Sequence, residues 1–298
     1  KIVKIEGGYH GSHEYVAVSV YPAKNLLDPD KTTAIPEYSN QPDSVLENVI
    51  VVPYNDIEET TRMISMESEN VACVIMEPIV SSFGYTPADL DYLQFVRDIT
   101  TELGIILIYD EVQSFRVGPG GAQELFGVVP DMTTLGKIIG GGMPVGAFGG
   151  RRDIMALFDP TNGGADIAHA GTFNANPVTM RAGEVVMNAL TPDVYHDMND
   201  LGEKLRNQLR AVFDELGVDA QVTGVGSLFG IHFTANNIRN YRDVVKADPQ
   251  MKRAFFIGML NEGILLQGSA AGALNVFSDE HHVGRLVDSA RKVVQRIR

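Results

Sequence analysis

Short, continuous apolar runs alternate with amphipathic stretches over the first two-thirds of the chain. Residues 2–5, 49–52, 71–76 and 105–109 are runs of this kind, too short for helices and rich in Val and Ile, and each reads as a strand buried on both faces. Polar-patterned stretches over 56–69 and 87–103 read as helices between them, and 145–148 as a further strand. This alternation predicts an α/β fold: a mostly parallel sheet sandwiched by helices. Residues 21–48 hold four prolines and form a long loop. Helical patterns follow at 151–158, 177–190 and 195–216, with a polar loop over 164–176. From about residue 220 the pattern changes, with strands at 221–222 and 228–233, helices at 251–261 and 280–297, and strand candidates near Leu265 and Asn275. The expected organisation is a large domain over 1–195, a connecting long helix over 196–219 and a smaller C-terminal α+β domain over 220–298.

Composition narrows the function classes. An apolar fraction of 44% supplies a core for 298 residues, and 21% charged residues is ordinary for a globular chain. A formal charge of −14, from 38 acidic against 24 basic residues, argues against a general nucleic-acid surface. Cys73 is the only cysteine, so no internal disulfide can form, and its apolar neighbours mark a strand thiol and not a nucleophile. No apolar run approaches a bilayer's thickness and no secretory pattern opens the sequence, so a cytoplasmic enzyme without membrane contact is expected.

Two neighbouring features carry the candidate chemistry. The apolar run at 105–109 ends in Asp110-Glu111-Val112-Gln113, and a glycine-bounded segment, Gly136-Lys137-Ile138-Ile139-Gly140-Gly141-Gly142, follows shortly after. A carboxylate at a strand end can keep a pyridine nitrogen protonated, and a lysine amine can form an imine with a carbonyl. Lys137 lies among Leu135, Ile138 and Ile139, which suits a partly buried amine. Asp110 taken alone reads equally as a loop acceptor or helix cap. Gln113 can donate to a ring oxygen. Tyr9 and His10 follow two glycines, where either ring can lie against a flat cofactor. Asn176-Pro177 is a natural helix start, and Thr172 just before it can reach a phosphate. Gly136-Lys137 lacks the Ser or Thr of a nucleotide P-loop, the triple glycine lacks the Rossmann context, His10 and His13 are too few for zinc, and Ser81-Ser82 is no nucleophile elbow.

With these motifs in order, the chain resembles the class III pyridoxal-phosphate-dependent aminotransferases of fold type I, in the branch of glutamate-1-semialdehyde aminomutase and β-phenylalanine aminotransferase. Gly8-Tyr9-His10-Gly11, Met76-Glu77-Pro78, Asp110-Glu111-Val112-Gln113, the Lys137 segment and Gly171-Thr172-Phe173 carry the resemblance, which extends over essentially the whole chain. It implies pyridoxal 5'-phosphate as cofactor, bound by Lys137 as a Schiff base. Asp110 would pair with the ring nitrogen, Tyr9 cover a ring face, and His10 and Glu77 lie nearby. Gln113 would sit near the ring hydroxyl, and Thr172 would contact the phosphate across a homodimer interface. Arg116 is a candidate for a substrate carboxylate or for an ordinary loop salt bridge. The implied activity moves an amino group between an amino acid, including a β-amino acid, and a keto acid. The alternatives are a glutamate-1-semialdehyde 2,1-aminomutase-like isomerase and a truncated, non-catalytic member with a structural or small-molecule-binding role. Members of the family carry an upstream Ser-Gly-Thr phosphate-binding segment that does not occur before Lys1, so the large domain is expected to be incomplete at its N-terminal side.

Overall fold

The apolar runs do form the expected central sheet. The computed structural model describes residues 1–161 and 164–298. In the first half, β1 (Ile2–Ile5) is followed by α1 (Asp43–Leu46), β2 (Val49–Val52), α2 (Ile57–Ser65) and β3 (Cys73–Met76). A small antiparallel hairpin, β4 (Ile79–Val80) and β5 (Thr86–Pro87), leads to α3 (Leu90–Glu102), β6 (Ile106–Asp110) and α4 (Gly121–Phe126). Then come β7 (Met132–Gly136), β8 (Gly146–Gly150) and α5 (Arg152–Met155). The six-stranded sheet has the order β2-β1-β3-β6-β7-β8, parallel throughout except for the β7–β8 pair. Val3, Ile5, Val52, Val74, Met76 and Leu107 are buried against Ile64, Tyr92, Leu93 and Val96 of the covering helices. Each such fully buried aliphatic side chain contributes about 1.5–3 kcal/mol.

The remaining elements build the C-terminal part. They are α6 (Pro177–Ala189), α7 (Pro192–Leu216), β9 (Gln221–Thr223), β10 (Leu228–His232), α8 (Tyr241–Val244), α9 (Pro249–Asn261), β11 (Ala271–Ala273) and α10 (Glu280–Ile297). Three of the helices start with a polar cap followed by proline: Asn176-Pro177, Thr191-Pro192 and Asp248-Pro249. In each the cap side chain accepts from the first-turn amides. Proline lacks the N–H that would go unpaired there, which is why this pairing starts a helix. The antiparallel sheet β11-β10-β9 packs against α7, α9 and α10 through Leu205, Leu209, Phe213, Ile231, Phe255, Met259, Ala290 and Val294. A partly buried ion pair ties the two parts: Arg242 of α8 grips Glu6 after β1 with Nε–Oε2 at 2.8 Å and Nη2–Oε1 at 3.1 Å.

Several elements differ from the expectation. The strand β7 falls in Met-Thr-Thr-Leu-Gly, which has no continuous apolar run and so carries no local strand signal. The long helix begins at Pro192 because Thr191 caps it. No strand forms at Leu265, and the strand expected near Asn275 lies instead at Ala271–Ala273, where small residues pair with β10 across the face of Phe229. The helix expected over 87–103 starts at Leu90, since Thr86 and Pro87 belong to the β4–β5 hairpin. Among the described residues no helix is long and apolar enough to cross a membrane.

Candidate active site

Four parallel strands deliver their C-terminal ends to one side of the sheet, where open α/β sheets bind ligands. β1 leads into Tyr9 and His10, β3 into Glu77, β6 ends on Asp110, and β7 leads into Lys137. These side chains and Gln113 line a cavity of about 710 Å³.

Asp110 is held from two sides. His10 Nδ1 stands 2.9 Å from its Oδ2, and the Val112 amide donates to its Oδ1 at 3.1 Å. Burial alone would push this carboxyl up; the His10 and Val112 contacts outweigh it and hold Asp110 below the usual carboxylate range. Asp110 therefore stays an anion. His10 does not present a free ring face. Its imidazole is 1% exposed and turned down onto Asp110, with Nε2 buried and unpartnered among the described residues.

Glu77 is 3% exposed and accepts from the Tyr9 amide at 3.3 Å, the Ser81 amide at 3.1 Å and the Ser81 hydroxyl at 2.6 Å. Burial pushes its carboxyl up, more than His10 and Ser81 pull it down. It fastens the Tyr9 turn to the β3 end. Tyr9 itself is 46% exposed, so its ring is available at the cavity wall.

Lys137 departs from its expected setting. Ile138 packs towards Leu190, Tyr195 and Met198, while Lys137 is exposed, with φ at +47° in the left-handed region that non-glycine residues avoid. Its loop is seated on α6 by two glycines. A Cβ on Gly141 would strike the Ala182 carbonyl, and one on Gly183 would strike the Ile139 carbonyl.

The last two expected residues lie apart from this group. Arg116 faces an adjoining cavity, and Thr172 stands on an exposed turn outside both cavity linings of its own chain. Conversely, several lining residues were not singled out from the sequence. Thr134 pairs in register with Asp110, and its buried hydroxyl lies beside that carboxylate and helps to hold it low, although it completes no well-formed hydrogen bond among the described residues. Phe148, Phe158 and His169 form a three-ring wall with centroids 5.2–6.2 Å apart. Thr134 was findable as a hydroxyl three residues before the lysine; the three rings, spread over two elements and a loop, gave no local signal.

Residues 1–278 match the family described as aminotransferase class-III. The chain belongs to the class-III aminotransferases. It is 37% identical over 302 residues to a glutamate-1-semialdehyde 2,1-aminomutase from Methanothermobacter thermautotrophicus, covering 100% of this chain and 69% of that protein. Among solved structures it is similar to an omega-transaminase from Sphaerobacter thermophilus, with TM-score 0.94 and 39% identity over 99% of this chain and 68% of that one. It is also similar to a β-phenylalanine aminotransferase from Variovorax paradoxus, with TM-score 0.86 and 33% identity over 99% of this chain and 64% of that one. This class-III member is a pyridoxal-phosphate-dependent enzyme of the aminotransferase and aminomutase kind, with the fold of fold type I enzymes. The cavity fits that cofactor. It offers one amine, an anionic carboxylate for a ring nitrogen, an accessible aromatic face, and the buried Thr134 hydroxyl beside that carboxylate.

Proposed function

We propose that this enzyme is an aminotransferase moving an amino group between an amino acid, β-amino acids included, and a keto acid, with Lys137 as the amine that carries the cofactor. The observation behind this reading is that Lys137 and a fixed, anionic Asp110 line one cavity at neighbouring strand ends. When bound, pyridoxal phosphate supplies an aldehyde that takes up amino groups and a ring that draws electrons from the substrate carbon. Asp110 holds a proton at the ring nitrogen, and His10 positions Asp110. Tyr9 covers a ring face and Gln113 donates to the ring oxygen. The Lys137 amine moves a proton to and from the substrate carbon. Glu77 keeps the Tyr9 turn in place.

A second copy of the chain fits this reading. Phe173, just before α6, and Val178 and Val185, on one face of it, are exposed apolar side chains next to Thr172. Association through this face would cover them and carry Thr172 towards the partner's phosphate. We read residues 1–195 and 220–298 as separate domains joined by the long helix. The single thiol, Cys73, suits a reducing compartment such as the cytoplasm. Intramolecular transfer is the second reading, supported by the aminomutase relatives.

The test is titration of the purified chain with pyridoxal phosphate, borohydride reduction and peptide mapping, followed by an amino-donor screen. A visible absorption band, an adduct on Lys137 and separate keto-acid and amino-acid products are expected. An adduct on another lysine sinks the site assignment. Isomerisation of a single substrate without release selects the aminomutase reading.

A further inference from the structure

A second cavity of about 270 Å³ shares Val112, Gln113 and Lys137 with the first. Its remaining wall is apolar, from Ile138, Val186, Leu190, Met198 and Val276, except for Asn275 and the guanidinium of Arg116. Arg116 has no carboxylate partner among the described residues. Its Nε donates to the Ser227 hydroxyl at 3.2 Å and its Nη2 to the Leu274 carbonyl, and both acceptors are neutral. Nη1 makes no hydrogen bond among the described residues. Elsewhere the half-buried guanidinium of Arg242 is neutralised by Glu6. A desolvated cation with only neutral acceptors is poorly compensated, and an incoming carboxylate is the group that compensates it most strongly.

The neighbouring helix supplies no counter-charge either. Tyr195 and Asn199, one turn apart on α7, flank the cavity residue Met198. The Tyr195 hydroxyl and the Asn199 Oδ1 are both buried without a partner among the described residues. The tyrosine lies close enough to Arg116 for each to bias the other's charge. Both lie behind the cavity wall and not in it, so they add no acceptor that neutralises Arg116 from its own side of the fold.

We propose that this second cavity is a carboxylate site, in which Arg116 receives the carboxylate of a substrate bearing a short apolar stem while its reacting carbon faces Lys137. The placement of the reacting carbon rests on the function proposed above; carboxylate capture by Arg116 does not. The aliphatic wall takes the stem, and the shared Lys137 makes the two cavities one path.

Calorimetric titration of the full chain with butyrate and hexanoate, each against its amide, tests this with and without pyridoxal phosphate. Hexanoate is expected to bind at least tenfold more tightly than hexanamide, and Arg116→Gln to erase that difference. Because Arg116→Gln also removes the ties to Ser227 and Leu274, Val276→Trp serves as the second variant. It fills an exposed side of the cavity with Arg116 intact, and is expected to weaken hexanoate at least tenfold while circular dichroism is unchanged. Equal affinity for acid and amide, or unchanged hexanoate affinity in a folded Val276→Trp, overturns the proposal. Charge-dependent hexanoate binding that persists when borohydride mapping misses Lys137 upholds the carboxylate site and removes only the cofactor reading.

Discussion

His10 and Asp110, 100 residues apart in sequence, meet at 2.9 Å between Nδ1 and Oδ2 on the floor of the cavity. The contact turns a strand-end carboxylate with several available rotamers into one aimed acceptor. Removing one charge-assisted hydrogen bond of this sort costs about 1.5–3 kcal/mol. His10→Ala is therefore expected to weaken pyridoxal phosphate binding about tenfold to a hundredfold. Asp110→Asn, which removes the charge itself, is expected to lower turnover more than it lowers affinity. Absorbance titrations and steady-state rates on both variants check this, and unchanged cofactor affinity in His10→Ala would show that Asp110 needs no such support.

Lys137 occupies the left-handed region at φ +47°, which costs a non-glycine residue about 1–2 kcal/mol. The proposed chemistry requires the lysine there; stability does not. Lys137→Gly is expected to be inactive yet more stable than Lys137→Ala by about 1 kcal/mol, since glycine accepts this conformation freely but has a more flexible unfolded state. Urea unfolding of the two inactive variants gives the number, and a more stable alanine variant would refute the strain.

The seat of the lysine loop on α6 is closed to any added atom at Gly183. Gly183→Ala is expected to destabilise the protein by about 1–3 kcal/mol, because the Ile139 carbonyl must move. The same displacement shifts Lys137, so the rate of borohydride-trapped adduct formation should fall in the folded variant. A full-rate adduct would separate the packing from the amine's placement.

Burial, helped by the charge of Lys252, pushes His232 down to about 3 from 6.5. Between those two pH values the unfolded chain takes up a proton that the folded chain refuses. Stability from this group is thus complete above pH 6.5 and is lost as pH falls towards 3, by an amount on the order of a few kcal/mol. His232→Gln is expected to flatten that part of the profile, measured as urea midpoints at pH 7, 6, 5 and 4. Parallel profiles for the two proteins would mean that other groups govern the acid limb.

What was legible in the sequence was the part fixed by local pattern. Asp110 could be found because an apolar run stops at it, and Lys137 because glycines bracket it. β7 was missed because two threonines interrupt its apolar character, and its strand identity comes from the pairing with β6 and β8. The setting of Arg116 was illegible for a different reason. Its acceptors, Ser227 and Leu274, lie 111 and 158 residues away, and no local rule anticipates which partner such a side chain meets. The exposure of Lys137 likewise depends on where α6 packs, not on its apolar neighbours.

The strand order has a kinetic corollary. β1 lies between β2 and β3, and each of these contacts spans tens of residues. The cavity draws on four such strand ends, so no local fragment contains it. Chain-closure entropy must be met for every crossover before the floor of the site exists. The meeting of His10 with Asp110 is therefore expected among the last events of folding. Cofactor added during refolding should consequently leave the early phases unchanged and capture only the final, slow-forming species.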